Sequence, residues 1–88
     1  PDVTTIEADK PCSECIATRK VLAKLSEKLP DLTVEVLHRS DPATQDYGII
    51  MTPVVIVDGL VVSMGRRPPA GRLEAILRER LARGTEDA

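Results

Sequence analysis

Cys12 and Cys15 are the only thiols in the chain, and two residues separate them. A disulfide between them closes a very small loop, so it gains little of the unfolded-state restriction that makes longer cross-links stabilising. Such a pair in a chain of intracellular character points to chemistry rather than to stapling. The thiolate is both a nucleophile and a soft-metal ligand. The plain alternatives are an inert buried pair or half of a zinc site. A closed structural zinc site needs four ligands, whereas the chain adds a single histidine, His38, beyond a strand.

The surrounding pattern positions the pair. Val3–Ile6 is rich in β-branched residues and reads as a strand, which Asp9-Lys10-Pro11 breaks. From Cys12 the pattern turns helical, with Cys15, Ile16, Leu22, Leu25 and Leu29 at three- and four-residue steps, and Pro30 ends it. Leu32–Leu37 alternates as a second strand. Asp41-Pro42 reads as an N-cap followed by proline at the first helical position, giving a short helix over Pro42–Tyr47 that Gly48 closes. Val54–Val57 and Leu60–Ser63 flank Asp58-Gly59, the signature of a tight type I′ hairpin. A last helix carries Leu73, Ile76, Leu77 and Leu81 on one face and stops at Gly84, leaving a frayed tail over residues 85–88. The order is β-α-β-α-β-β-α. A helix between the first two strands favours a parallel crossover, and the hairpin adds an antiparallel pair. The expected fold is α/β, a mixed four-stranded sheet flanked by helices, forming one domain over residues 1–84.

Composition bounds the function. Eighty-eight residues make one domain with a thin core, and 42% hydrophobic with 30% charged residues is an ordinary globular balance. Tyr47 is the only aromatic, too few for a base-stacking platform. A net charge of −2 argues against a phosphate-backbone binder. The longest apolar run, Val54–Val57, is far short of the ~20 residues of a membrane span, and the start does not resemble a signal peptide. These features imply no nucleic acid, no membrane and a cytoplasmic monomer.

Cys12 falls where the first helix begins, where unpaired amides and the helix dipole favour negative charge. Cys15 lies one turn on, on the same face. The placement yields a mechanism: Cys12 attacks a substrate disulfide, and Cys15 resolves the mixed disulfide. Lys10 is positioned to stabilise the Cys12 thiolate. Glu14 opposes it by like-charge repulsion while favouring the helix. The balance predicts a reducing dithiol, nearer about −270 mV than −120 mV on the scale of such proteins.

Pro11-Cys12-Ser13-Glu14-Cys15 at a strand-to-helix junction, followed by Thr52-Pro53-Val54, resembles the thioredoxin superfamily. Tyr47–Pro53 and Asp58-Gly59…Gly65-Arg66 are similar to its small, glutaredoxin-sized redox proteins. The resemblance implies a thioredoxin-like fold and a cis Pro53. It also implies a ledge at Thr52 whose backbone pairs with an extended substrate segment. Pro11 stands where larger relatives carry an aromatic. The strand position where they carry a buried acid holds Ile6, and alternation turns Glu7 the other way, so no dedicated base is expected and Cys15 loses its proton through water. Ser63–Arg66 replaces the glycine pair and acid with which glutaredoxins hold glutathione. Met51 and Ile50 form either an apolar rim for docking or core.

His38 reads as a solvated strand-end residue, and Tyr47 as packed at the end of the short helix or, alternatively, flanking the active site. Six arginines against two glutamates over Gly65–Arg83 read as a solvated helix face with i,i+4 pairs. The leading expectation is a thiol-disulfide oxidoreductase reducing protein disulfides, without a bound cofactor. By resemblance, its electrons come from a flavin-dependent disulfide reductase or another dithiol. The same thiolates suit a carrier of Cu(I), Hg(II) or arsenite instead, and a third reading is a domain used only for protein interaction.

Overall fold

Residues 1–10, 12–48 and 51–84 are described by a computed structural model of the chain. Pro11, Ile49, Ile50 and the expected tail 85–88 lie outside these described residues. Strand β1 spans Asp2–Glu7 and helix α1 spans Ser13–Lys28. Strand β2 covers Thr33–His38, and a 3-10 helix follows over Pro42–Tyr47. Strands β3 (Val54–Val57) and β4 (Leu60–Met64) lead to helix α2 (Ala70–Gly84).

The turns obey local chemistry. Asp41 caps the 3-10 helix through its carboxylate, which accepts from the Ala43 amide at 2.9 Å, and Gly48 closes it in the left-handed region at φ 61°. The hairpin turn places Asp58 at φ 49° and Gly59 at φ 85°, the two positive angles a type I′ turn requires.

The sheet runs β2-β1-β3-β4, with β1 and β2 parallel and the other pairs antiparallel. Both helices contribute to one face: Leu22 and Leu25 from α1, Leu29 at its C-cap, and Leu73 and Leu77 from α2 pack with Val3, Val55 and Val57. On the opposite face Ile6, Val54 and Ile56 are buried with Leu37, Tyr47 and Met64 against them. Thus β3 is buried at every position, which explains its unbroken valine and isoleucine run. Each fully buried aliphatic side chain contributes about 1.5–3 kcal/mol of transfer free energy.

Two details depart from expectation. Ile16 is 51% exposed, and Thr18 takes its place in the buried seam of α1. The seam follows Cys15, Thr18, Leu22 and Leu25, and Ile16 lies about 100° around the helix from Cys15. The hairpin also skips Val62: Val55 pairs with Ser63, but Ile56 pairs with Val61. The extra residue is the mark of a β-bulge.

Candidate functional site

The end of β1 and the start of α1 build the site. Cys12 is the N-cap of α1, with extended backbone (φ −140°, ψ 126°), and its Sγ accepts the Cys15 amide hydrogen at 3.3 Å. A sulfur thus occupies the position that a Ser, Thr, Asp or Asn side-chain oxygen commonly takes at helix starts. Its carbonyl accepts from the Ile16 amide at 3.0 Å, the first helical bond.

The two thiols are electrostatically unequal. Hydrogen bonds from Cys15, side chain first and backbone second, pull the Cys12 pKa below the ordinary cysteine value, and the Glu14 amide adds to this. Desolvation and the Glu14 carboxylate oppose the shift. Cys15 is buried at 2% exposure. Burial, first of all, pushes its thiol up, and the hydrogen bond to Cys12 and the charges of Cys12 and Glu7 add to it. Cys12 is therefore the more readily ionised thiol and Cys15 the one that holds its proton more tightly. Lys10 is not among the groups that move Cys12. The expected electrostatic help comes from the helix start rather than from this lysine.

Glu7 corrects the expectation that no carboxylate faces the thiols. It is 6% exposed and forms an ion pair with Arg19, whose Nη2 donates to Glu7 Oε1 at 2.8 Å and whose Nε donates to Oε2. Alternation sends Val3, Thr5 and Glu7 towards the helices and Ile6 to the opposite face, so Glu7, not the residue before it, ends under the cysteines. Arg19 lies four residues after Cys15, on the same face of α1. That spacing, together with the alternation of β1, was the signal in the sequence for this pair.

A cavity of about 550 Å³ opens beside the dithiol, lined among others by Glu7, Lys10, Cys12, Cys15, Arg19 and His38. His38 is exposed but is not merely a strand-end residue, because its register partner on β1 is Glu7 and it reaches this cavity. Glu14 turns away: its carboxylate accepts from the Arg67 amide at 3.4 Å and lies 3.5 Å from the Arg67 guanidinium. This ties the first turn of α1 to the loop before α2.

Met51, Thr52 and Pro53 do not line the cavity. Pro53 is buried, Thr52 is half-buried, and the peptide between them is cis. The Gly65 amide donates to the Pro53 carbonyl at 2.8 Å. Met51 is 56% exposed and packs over Gly65, where an added Cβ would meet its Cε at 3.1 Å. Pro11, expected to contact substrate beside the cysteines, and Ile50, expected on the apolar rim, lie outside the described residues. No helix among the described residues is long and apolar enough to cross a membrane.

Solved structures share this fold. Thioredoxin O2 from Arabidopsis thaliana, in its oxidised state, matches with a TM-score of 0.65 at 19% identity, over 89% of this chain and 72% of that one. Chlamydomonas reinhardtii thioredoxin f2 matches with a TM-score of 0.62 at 18% identity, over 90% of this chain and 77% of that one. These likenesses show a thioredoxin-like fold. No curated protein matches the sequence. The Thioredoxin domain family matches residues 4–78. With most of its length inside that match and a Cys-x-x-Cys pair at the start of the first helix, the chain belongs to the thioredoxin domain family.

Proposed function

We propose that the chain is a thiol-disulfide oxidoreductase that reduces disulfides in protein substrates. The observation that carries this reading is the asymmetry of the pair: Cys12 has its pKa lowered at a helix cap, and Cys15 is buried with its pKa raised. The family match supports the same chemistry.

The Cys12 thiolate attacks one sulfur of the substrate disulfide. A Cys12–substrate bond forms, and the other substrate sulfur leaves as a thiolate that takes a proton from water. Cys15 then gives up its proton and attacks Cys12 Sγ. The mixed disulfide breaks, the second substrate thiol is released, and the protein ends with a Cys12–Cys15 disulfide. Two electrons pass from the dithiol to the substrate. The Cys15 proton leaves through water in the cavity that Glu7 and Arg19 also line. Thr52 and Pro53 form the ledge on which an extended substrate segment lies, and exposed Met51 forms its apolar rim. A flavin-dependent disulfide reductase or another dithiol returns the electrons, and no bound cofactor is required. A soft-metal carrier using the same thiolates gains no support from the comparisons.

The test is trapping. Cys15→Ser should accumulate a mixed disulfide with protein substrates through Cys12, visible on non-reducing gels, and Cys12→Ser should give none and reduce no disulfide. Equal trapping by both variants, or activity in Cys12→Ser, overturns the reading.

A further inference from the structure

The cavity beside the dithiol is cationic in a chain whose net charge is −2. Lys10, Arg19 and Lys20 line it with His38, against only Glu7 and Asp9. Both acids are engaged within the protein. The two oxygens of Glu7 accept from Arg19. One oxygen of Asp9 accepts the Ser40 amide at 3.2 Å and the Ser40 hydroxyl at 2.9 Å. By contrast, no ion pair among the described residues includes Lys10 or Lys20. Two lysines that pair with no acid among the described residues therefore line a 550 Å³ space together with both cysteines. That size suits a small ligand or a few residues of a longer one, given the ~300–1,000 Å³ usual for ligand sites.

We infer that this cavity receives a carboxylate-bearing substituent of the substrate disulfide, held by Lys10 and Lys20 while its sulfur is bonded to Cys12. The inference rests on the dithiol exchange proposed above and names the substrate class of that site. The chemistry is unchanged: the substituent arrives on the sulfur that Cys12 attacks and leaves as a thiol when Cys15 closes the internal disulfide. Unpaired cations in a concave wall raise the encounter rate of an anionic substrate, about tenfold or more at low salt, and the effect fades as salt screens it.

The experiment measures second-order rate constants of the reduced protein with two small disulfides, a dianionic bis(nitrobenzoate) and a neutral dipyridyl. A parallel arm uses cystine peptides carrying Glu or Gln beside the disulfide. The readout is the anionic-to-neutral rate ratio, which cancels changes in thiolate reactivity. In Lys10→Gln/Lys20→Gln the ratio should fall about tenfold, and in the unaltered protein it should fall as salt rises. Lys24→Gln/Arg72→Gln removes two charges elsewhere and should keep the ratio. A fall in the small-disulfide arm places the carboxylate on a small thiol, and a fall in the peptide arm places it on acidic residues of a polypeptide; either supports the inference. An unchanged ratio in both arms, or an equal fall in the control variant, overturns it while leaving the exchange chemistry standing. Failure of the protein to react with either small disulfide defeats the exchange reading itself.

Discussion

Glu7 and Arg19 are locked together by two parallel hydrogen bonds between the last residue of β1 and a side chain one turn beyond Cys15. The carboxylate is buried, while the guanidinium side chain is 54% exposed. Water reaches only one end of the pair, so its loss is asymmetric.

Arg19→Met strands a buried carboxylate without its donor, the costly way to break such a pair. Its thermal midpoint should drop by roughly 5 °C. Glu7→Leu/Arg19→Met should regain more than half of that loss, because the orphaned charge is gone. Thermal unfolding of the reduced proteins followed by circular dichroism makes the comparison. A double variant no more stable than Arg19→Met would show that the pair is not what holds this corner together.

Alkylation of reduced protein by iodoacetamide should rise with pH and level off below the pH at which free cysteine does, since the Cys12 pKa is lowered chiefly by hydrogen bonds from Cys15. Cys15→Ala removes the first of these, so its midpoint should move up towards the free value. The same shifts have opposite signs for stability. A depressed Cys12 pKa contributes stability fully present above the unfolded thiol's pKa and lost as pH falls through the folded one. A raised Cys15 pKa makes the fold lose stability as pH rises above the unfolded value, because the unfolded chain releases that proton first. Chemical denaturation of Cys12→Ser and Cys15→Ser across neutral to alkaline pH separates the two trends.

Glu14→Gln should make the dithiol less reducing. The Glu14 carboxylate pushes the Cys12 pKa up, so removing it stabilises the thiolate and hence the reduced form. Because Glu14 also faces Arg67 at 3.5 Å on the surface, its charge is partly balanced and the shift is modest, on the order of 10 mV towards less negative potential. Redox equilibration against a dithiol buffer measures it, and a shift to more negative values would contradict the electrostatic assignment.

Thr5 is fully buried, and among the described residues its hydroxyl oxygen finds no hydrogen-bond partner. Thr5→Val replaces that group by a methyl of nearly the same shape and should stabilise the protein by about 1 kcal/mol. Urea denaturation monitored by circular dichroism provides the number, and a loss of stability would mean that the hydroxyl is satisfied.

Much of this was legible in the sequence because it is encoded by short-range chemistry. Asp41-Pro42 and Gly48 specify a capped turn of helix, and Asp58-Gly59 carries two positive φ angles, whatever the rest of the chain does. Cys12 at the helix start follows from the break before it. What escaped depends on neighbours distant in the chain. Glu7 reads as turned away from the cysteines when alternation is counted from Ile6 alone, until α1 places Arg19 over it. His38 reads as solvated until the parallel register sets it beside Glu7. Ile16 is as apolar as its neighbours, and only the direction of the buried seam turns it outward. The skipped Val62 is invisible because the hairpin strands are apolar apart from Ser63, so pattern does not fix which residue faces which.

The Cys12 sulfur is at once the reacting atom and the acceptor that terminates α1, through the Cys15 amide. Alkylation or disulfide formation withdraws negative charge from that acceptor and weakens the cap. The opening turn of the helix should then loosen in step with the chemistry. Amide exchange at Cys15 is where that coupling is read, slow in the dithiol and faster once the sulfur has reacted.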